Sequence, residues 1–169
     1  RRFALAKAID PETEILVLNG SREGLFFAAI AAARYVSPRK GTPAILMPNP
    51  FYPAYATGAR AAGCEAVFMP TTRENGFLPN LDSLSAETLD RTVAFYLASP
   101  ANPQGSVPSR AYFDRVKQLA DRHGFIVLSD ECYSEIYTGE APGSMLASAG
   151  NDFANVVAFQ SLSKRSNQI

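Results

Sequence analysis

Residue types that mark several protein classes are scarce in this chain of 169 residues. It has two cysteines, Cys64 and Cys132, one histidine and no tryptophan. Two cysteines without metal-ligand spacing exclude a disulfide framework and predict no metal site. Both are expected to be reduced thiols, which is typical of a cytoplasmic protein.

An excess of charge of one sign and a long apolar run are also absent. Sixteen Lys and Arg residues balance sixteen Asp and Glu residues, which leaves no basic excess to attract nucleic acid or an anionic membrane. No apolar run approaches the roughly 20 residues that cross a bilayer, and the polar N-terminus is unlike a signal peptide. The composition therefore predicts neither nucleic acid nor a membrane as a partner.

The chain does contain an alternation of short apolar runs and helical patterns. The apolar runs predict six strands, at residues 15–18, 44–47, 66–69, 93–97, 125–128 and 156–159. Helices are predicted between them, at residues 22–35, 53–62, 81–90 and 109–123. Because the strands are apolar throughout, we expect a sheet that is buried on both faces. The sequence thus predicts an α/β fold, a three-layer αβα sandwich around a mostly parallel sheet.

Polar residues follow the predicted strands, at the edge of a parallel sheet where ligands gather. The stretch Asn-Gly-Ser-Arg-Glu at 19–23 lies between a strand and a helix, where the amide groups of Ser21 and Arg22 could bind a phosphate. A simple helix cap with a glycine turn explains the same residues. After the next strand comes Pro-Phe-Tyr-Pro-Ala-Tyr at 50–55, which core or turn packing would also explain.

Three later loops place an amide, a carboxyl and an amine at strand ends. Asn102 lies in Asn-Pro-Gln-Gly, Asp130 in Asp-Glu-Cys-Tyr and Lys164 in Ser-Leu-Ser-Lys. A carboxyl group at a buried strand end is costly unless it is paired. Taken singly, the three residues could be a turn residue, a helix cap and a surface lysine. Their order, one strand–helix–strand unit apart each, indicates a shared site.

Together these loops resemble the cofactor pocket of fold-type-I pyridoxal-phosphate (PLP) enzymes, specifically the class I/II aminotransferases, over residues 18–167. The resemblance implies the large, PLP-binding domain of the aspartate aminotransferase-like fold. It also implies a transaminase that moves an amino group between an amino acid and a 2-oxo acid through a Schiff base on Lys164. The catalytic residues implied are Lys164, Asp130 and Tyr133.

The resemblance implies nine cofactor-binding residues. They are Gly20, Ser21, Arg22, Tyr52, Asn102, Asp130, Tyr133, Ser161 and Lys164. Asp130 would pair with the pyridinium nitrogen, while Asn102 and Tyr133 would donate to the 3-oxygen of the cofactor. Ser161 would contact the phosphate, and Lys164 would hold the cofactor and act as the general base.

Other residues of these loops are given supporting roles. Tyr52 matches an aromatic residue that stacks on the cofactor ring, whereas Tyr55 is interpreted as helix packing. Glu131 is interpreted as supporting helix or interface contacts. Gln104 departs from the threonine that is usual at its position in the family.

The stretches at 20–26 and 161–167 are most similar to the branch that includes succinyl-diaminopimelate aminotransferase, in bacterial lysine biosynthesis. We therefore expect an enzyme that acts on small amino and 2-oxo acids and that is a homodimer when full length. Residues 1–169 would form a single, incomplete PLP-binding domain without the family's N-terminal segment and C-terminal small domain. As an isolated piece it is expected to be inactive.

Three alternatives remain open at this point. The first is another fold-type-I PLP enzyme, a lyase or a synthase, and the second is a non-catalytic PLP-binding regulator domain. The third is a nucleotide-binding α/β domain, which would carry a Gly-x-Gly-x-x-Gly turn or a Walker loop after its first strand. Residues 19–24 match neither pattern.

Overall fold

A single parallel sheet organises the computed structural model, which describes residues 2–36 and 39–166. Its five strands are β1 (Ala44–Asn49), β2 (Glu65–Pro70), β3 (Thr92–Ala98), β4 (Ile126–Asp130) and β5 (Val156–Phe159). They lie in the order β2-β1-β3-β4-β5, and every adjacent pair is parallel. The chain runs outward from β1 to β2 and then returns to the other side of β1 with β3. The sheet therefore has a topological switch point between β1 and β3, where such folds bind ligands.

Helices connect the strands, and local signals set several of their ends. The helices are α1 (Ser21–Tyr35), α2 (Pro53–Ala61), α3 (Ala86–Arg91), α4 (Arg110–His123) and α5 (Leu162–Ser166), with 3₁₀ turns at Leu81–Ser83 and Met145–Ser148. The Ser109 side chain caps α4 by accepting from the Tyr112 amide, and Gly124 ends it in the left-handed conformation. The helix expected over 81–90 is divided because Ser85 caps a new helix at its middle.

Alternate strand residues pack into two separate cores. Ile45 and Met47 face the core that contains α1 and α2, whereas Leu46 faces the core that contains α4. Tyr96 and Phe95 of β3 are divided in the same way, as the alternation of side chains along a strand requires. Helices thus cover both faces of the sheet, and the predicted α/β fold with a mostly parallel sheet is confirmed.

The prediction of a strand over residues 15–18 is wrong. The described residues include no strand that pairs with this segment, and its side chains are largely exposed, with Leu16 at 80% and Val17 at 89%. An apolar run becomes a strand only where a neighbour satisfies its backbone donors and acceptors. The apolar pattern alone could not show that this neighbour is missing.

No helix in the described ranges has both the length and the apolar content that crossing a bilayer requires.

Candidate active site

One cleft at the carboxyl end of the sheet contains every residue expected to bind the cofactor. It lies at the ends of β1, β3, β4 and β5 and at the start of α1. Among its lining residues are Gly20, Ser21, Arg22, Tyr52, Asn102, Asp130, Tyr133, Ser161 and Lys164. The structure thus brings together residues that span 144 positions of the chain, from residue 20 to residue 164.

The start of α1 presents backbone amide groups to this cleft. Gly20 has φ 141° and ψ 141°, a conformation that side chains disfavour, and no side chain caps the helix in the described part of the chain. The amides of the first turn therefore remain available, at the positive end of the helix dipole. Arg22 lies beside them and donates from Nε to the Tyr52 hydroxyl over 2.7 Å.

Asn102 and Tyr133 meet across the gap between β3 and β4. The Asn102 Nδ2 atom lies 3.4 Å from the Tyr133 hydroxyl, so their polar ends point to one place. Gln104 holds the Asn102 loop from the other side, because its Nε2 donates to Thr71 Oγ1 over 2.8 Å. The residue that departs from the family's usual threonine therefore ties this loop to the end of β2.

Asp130 is a nearly buried carboxyl group, 9% exposed, at the end of β4. Its Oδ2 accepts from the Tyr55 hydroxyl over 2.6 Å, and its Oδ1 accepts from the Cys132 amide over 3.3 Å. Within residues 2–36 and 39–166, no Lys, Arg or His side chain forms a salt bridge with it. A buried carboxyl group that lacks a cation can accept a cationic donor from a ligand.

The hydrogen bond from Tyr55 to Asp130 was not predicted from the sequence, which indicated only a packing role for Tyr55. Its ring stacks on Tyr96, with centroids 4.2 Å apart and planes 7° apart. Burial and the nearby Asp130 charge raise the pKa of Tyr55 well above its ordinary value, so the hydroxyl stays protonated and donates. The available signal was the spacing from Tyr52, which places both rings on one face of α2, together with the need of a buried tyrosine for a partner.

Cys132 lines the same cleft as Ser21, Asp130 and Lys164. Burial, together with the Asp130 charge, raises the pKa of the Cys132 thiol to about 12, while the Ser21 hydroxyl and the Lys164 charge counter the rise. Ser21, Asp130 and Lys164 therefore all lie close enough to influence this one thiol. Among the described residues, Lys164 forms no salt bridge, which leaves its amine available in the cleft.

Comparison with known proteins identifies the family. The sequence profile described as "Aminotransferase class I and II" matches residues 2–167. The chain belongs to this family.

Its relatives in this family carry names from amino-acid metabolism. The chain is 39% identical over 168 residues to a protein of Syntrophobacter fumaroxidans named LL-diaminopimelate aminotransferase, covering 99% of this chain and 41% of that one. A protein of the same name from Aquifex aeolicus is 37% identical, with the same coverage. The chain thus spans about 41% of the length of the curated relatives it matches.

Solved structures of aminotransferases share the fold. An aminotransferase from Neisseria meningitidis superposes with a TM-score of 0.84 at 38% identity, over 95% of this chain and 41% of that one. A probable N-succinyldiaminopimelate aminotransferase from Thermus thermophilus gives a TM-score of 0.76 at 32% identity, over 93% and 40%. Over the part that superposes, these aminotransferases therefore share the fold of this chain.

Proposed function

We propose that this protein is a PLP-dependent aminotransferase that moves an amino group between an amino acid and a 2-oxo acid, with Lys164 as the residue that bonds to the cofactor. Family membership implies pyridoxal phosphate as the cofactor. The observation that carries the proposal is the single cleft that gathers a helix start, two converging donors, a buried carboxyl group and a lysine.

The donor set of the cleft fits the chemical groups of PLP. Amides of the first turn of α1 suit a phosphate, and the Ser161 hydroxyl lies at the same cleft. Asp130 has no cationic partner within the described residues, and a protonated pyridine nitrogen would supply one. Asn102 and Tyr133 converge over 3.4 Å and can both donate to the 3-oxygen that the ring carries. The Tyr52 ring lines the cleft and can cover the cofactor's face.

Each of the chain's own residues then has a defined task. When bound, PLP supplies an electron sink for the charge that develops on the substrate. Asp130, held by Tyr55, keeps the proton on the ring nitrogen. Lys164 would hold the cofactor through its amine, with water as the leaving group, and once displaced by the amine of the substrate it would act as the general base that carries a proton away from the substrate Cα. Tyr133 and Asn102 would stabilise the negative charge of the 3-oxygen.

For the substrate, we propose a diaminopimelate-type amino dicarboxylate and its 2-oxo counterpart, in lysine biosynthesis. The names of the relatives and the loop at 161–167 support this choice. Because the chain spans 41% of the relatives' length, we propose that residues 1–169 are the cofactor-binding domain. The groups that select the substrate would lie in the part of those relatives that the chain does not span.

Cytoplasmic location and a homodimer belong to the same proposal. Cys64 and Cys132 are both free thiols, which suits a reducing compartment. The exposed apolar side chains of residues 15–18 suit burial against another surface. Light scattering on the purified protein would test the dimer, and a monomer at micromolar concentration would contradict it.

The proposed reaction can be tested by a half-reaction. A protein that contains residues 1–169 and spans the full length of the relatives is loaded with PLP and mixed with LL-diaminopimelate, N-succinyl-diaminopimelate or glutamate, and the 2-oxo acid formed is measured by mass spectrometry. We expect one 2-oxo acid per bound PLP from at least one donor, and none from a Lys164→Ala variant. Release of ammonia or elimination products instead would favour a lyase, and binding of PLP without any product would favour a regulator domain.

A further inference from the structure

Glu131 is a buried carboxyl group for which the proposed chemistry has no use. Its side chain is 0% exposed, and it contacts residues behind the end of β4, whereas its neighbour Asp130 lines the cleft. Burying a carboxyl group is costly unless hydrogen-bond donors surround it. The hydrogen-bond partners of Glu131 therefore show which segments of the fold this carboxyl group holds together.

One oxygen of the Glu131 carboxyl group joins the end of β4 to the turn at Met145–Ser148. Oε1 accepts from Ser129 Oγ over 2.9 Å, from Ser144 Oγ over 3.0 Å and from the Met145 amide over 2.9 Å. Ser129 lies on β4, whereas Ser144 and Met145 lie at the start of the turn. Oε1 therefore has three donors of its own and does not depend on the donor that binds Oε2.

The other oxygen reaches the end of β5. Oε2 accepts from Gln160 Nε2 over 2.9 Å, and the Glu131 amide donates to the Phe159 carbonyl over 2.9 Å. The Gln160 side chain is held at its other end, since its Oε1 accepts from Ser134 Oγ over 3.0 Å. Glu131 thus binds Phe159, the last residue of β5, through its backbone and Gln160, the next residue, through its side chain.

Phe159 and Gln160 lead directly into the segment that carries Lys164. Gln160 directly precedes Ser161, and α5 with Lys164 begins two residues after Gln160. We propose that Glu131 is a positioning residue, which fixes the end of β5 through Gln160 and thereby places the Lys164 amine in the cleft. The inference rests on the proposed function, because it assumes that Lys164 bonds to PLP.

The positioning role predicts which step suffers when the contact is lost. Displacing a reacting group by roughly 1 Å can slow a reaction about 100-fold. Gln160 lines the cleft but is not among the proposed contacts to phosphate and ring at α1, Asp130, Asn102 and Tyr133, and Ser161 is the one proposed phosphate contact that follows it in the chain. Loss of the Glu131–Gln160 contact should therefore slow the bonding of Lys164 to PLP strongly and weaken non-covalent binding of the cofactor only slightly.

Two variants that each remove one donor from Glu131 separate this role from a general effect on stability. Gln160→Met removes the only side-chain donor that the described residues offer to Oε2, whereas Ser129→Ala leaves Oε1 with two donors. Rapid mixing with PLP gives the rate at which the absorbance band of lysine-bound PLP appears. Pyridoxine 5′-phosphate, which lacks the aldehyde, gives the affinity of non-covalent binding.

We expect Gln160→Met to slow the appearance of the band about 10-fold and to lower the affinity for pyridoxine 5′-phosphate by much less than that. Ser129→Ala should change neither quantity. Ser134→Ala, which frees the far end of the Gln160 amide, should slow the band in the same direction by less and provides a milder variant if Gln160→Met unfolds.

Two results would overturn the inference. One is equal slowing by Gln160→Met and Ser129→Ala, and the other is an unchanged rate in both Gln160→Met and Ser134→Ala. If the unsubstituted protein binds pyridoxine 5′-phosphate but never develops the band with PLP, the proposed function itself fails, and this inference falls with it.

Discussion

Asp130 and Tyr55 form the contact in the cleft that a single substitution can test most cleanly. The Tyr55 hydroxyl lies 2.6 Å from Asp130 Oδ2, and its ring is held independently by the stack on Tyr96. Removing the hydroxyl therefore removes a donor and leaves the packing in place. Asp130 would then keep only the Cys132 amide among its hydrogen-bond donors in the described part of the chain.

For Tyr55→Phe we expect a loss of about 1.5–3 kcal/mol in the free energy of unfolding, as for other hydrogen bonds to charged groups. The affinity for PLP should also fall, since the carboxyl group that we propose as the partner of the ring nitrogen is no longer held. Urea unfolding measures the first quantity and titration with PLP the second. Tyr112→Phe is the matched control, because the Tyr112 hydroxyl donates to the Pro79 carbonyl over 2.7 Å, away from the cleft.

The control should lose about 1 kcal/mol of stability and bind PLP as the unsubstituted protein does. If both tyrosine variants weaken PLP binding equally, Tyr55 has no special relation to Asp130.

Glu131 makes a second prediction at this scale, which concerns pH. Burial raises the pKa of the Glu131 carboxyl group above its ordinary value of 4.5, the Asp130 charge raises it further, and the donors Ser144, Met145 and Ser129 partly offset the rise. Between 4.5 and this raised pKa, the folded protein keeps a proton that the unfolded chain has released. The contribution of Glu131 to stability is therefore fully present below pH 4.5 and declines as the pH rises through this window.

The variant Glu131→Gln cannot titrate at this position. The free energy of unfolding of the unsubstituted protein, minus that of Glu131→Gln, should therefore decrease as the pH rises above 4.5. Urea unfolding of both proteins across a pH series measures this difference. A difference that stays constant or grows with pH would contradict a raised pKa of Glu131.

At the residue scale, the sequence was informative where a residue follows the end of a predicted strand. Asn102, Asp130 and Lys164 could be placed in one site because carboxyl ends of parallel strands share an edge. Tyr55 and Gln160 could not, because their contacts depend on side-chain directions across elements 75 and 29 positions apart in the chain. No local pattern encodes such a distance.

At the scale of elements, the start of α1 depends on a glycine. Gly20 has φ 141°, and a Cβ atom added there would meet no heavy atom within 4 Å. Replacement by alanine would therefore strain the backbone without causing a clash. Because the amides of Ser21 and Arg22 follow directly, this strain should disturb the proposed phosphate site as well as the helix.

We expect Gly20→Ala to lower the free energy of unfolding by about 1 kcal/mol and to weaken binding of PLP and of inorganic phosphate. Gly63→Ala is the matched control, because Gly63 also has a positive φ, of 71°, and equally open surroundings, and it does not line the cleft. It should lose similar stability and bind phosphate normally. Equal loss of phosphate binding in both variants would remove the start of α1 from the site.

Elements were predicted well where the pattern was local. The helix from Ser109 to Gly124 has a cap and a stop in the sequence, and both function as expected. Five of the six apolar runs form strands. Residues 15–18 do not, because strand formation depends on a partner as well as on apolar side chains. The helix expected over 81–90 is broken because Ser85 begins a new cap within it.

The whole molecule assembles its cleft from one helix start and four strand ends. The parallel order β2-β1-β3-β4-β5 makes this possible, since every strand delivers its last residue to the same edge. The fold class could be predicted because apolar strands and helices alternate along the chain. Substrate preference could not, because the residues that line the cleft suit the cofactor, and the chain spans 41% of its relatives.

The central claim is that Lys164 is the residue that bonds to PLP, and one measurement tests it directly. The protein contains four lysines, at positions 7, 40, 117 and 164. After incubation with PLP and reduction with borohydride, mass spectrometry of proteolytic peptides locates the attached group. We predict stoichiometric modification of Lys164, with the other three lysines unmodified and no modification in Lys164→Ala. Stoichiometric modification of another lysine, or modification that persists undiminished in Lys164→Ala, would contradict the account.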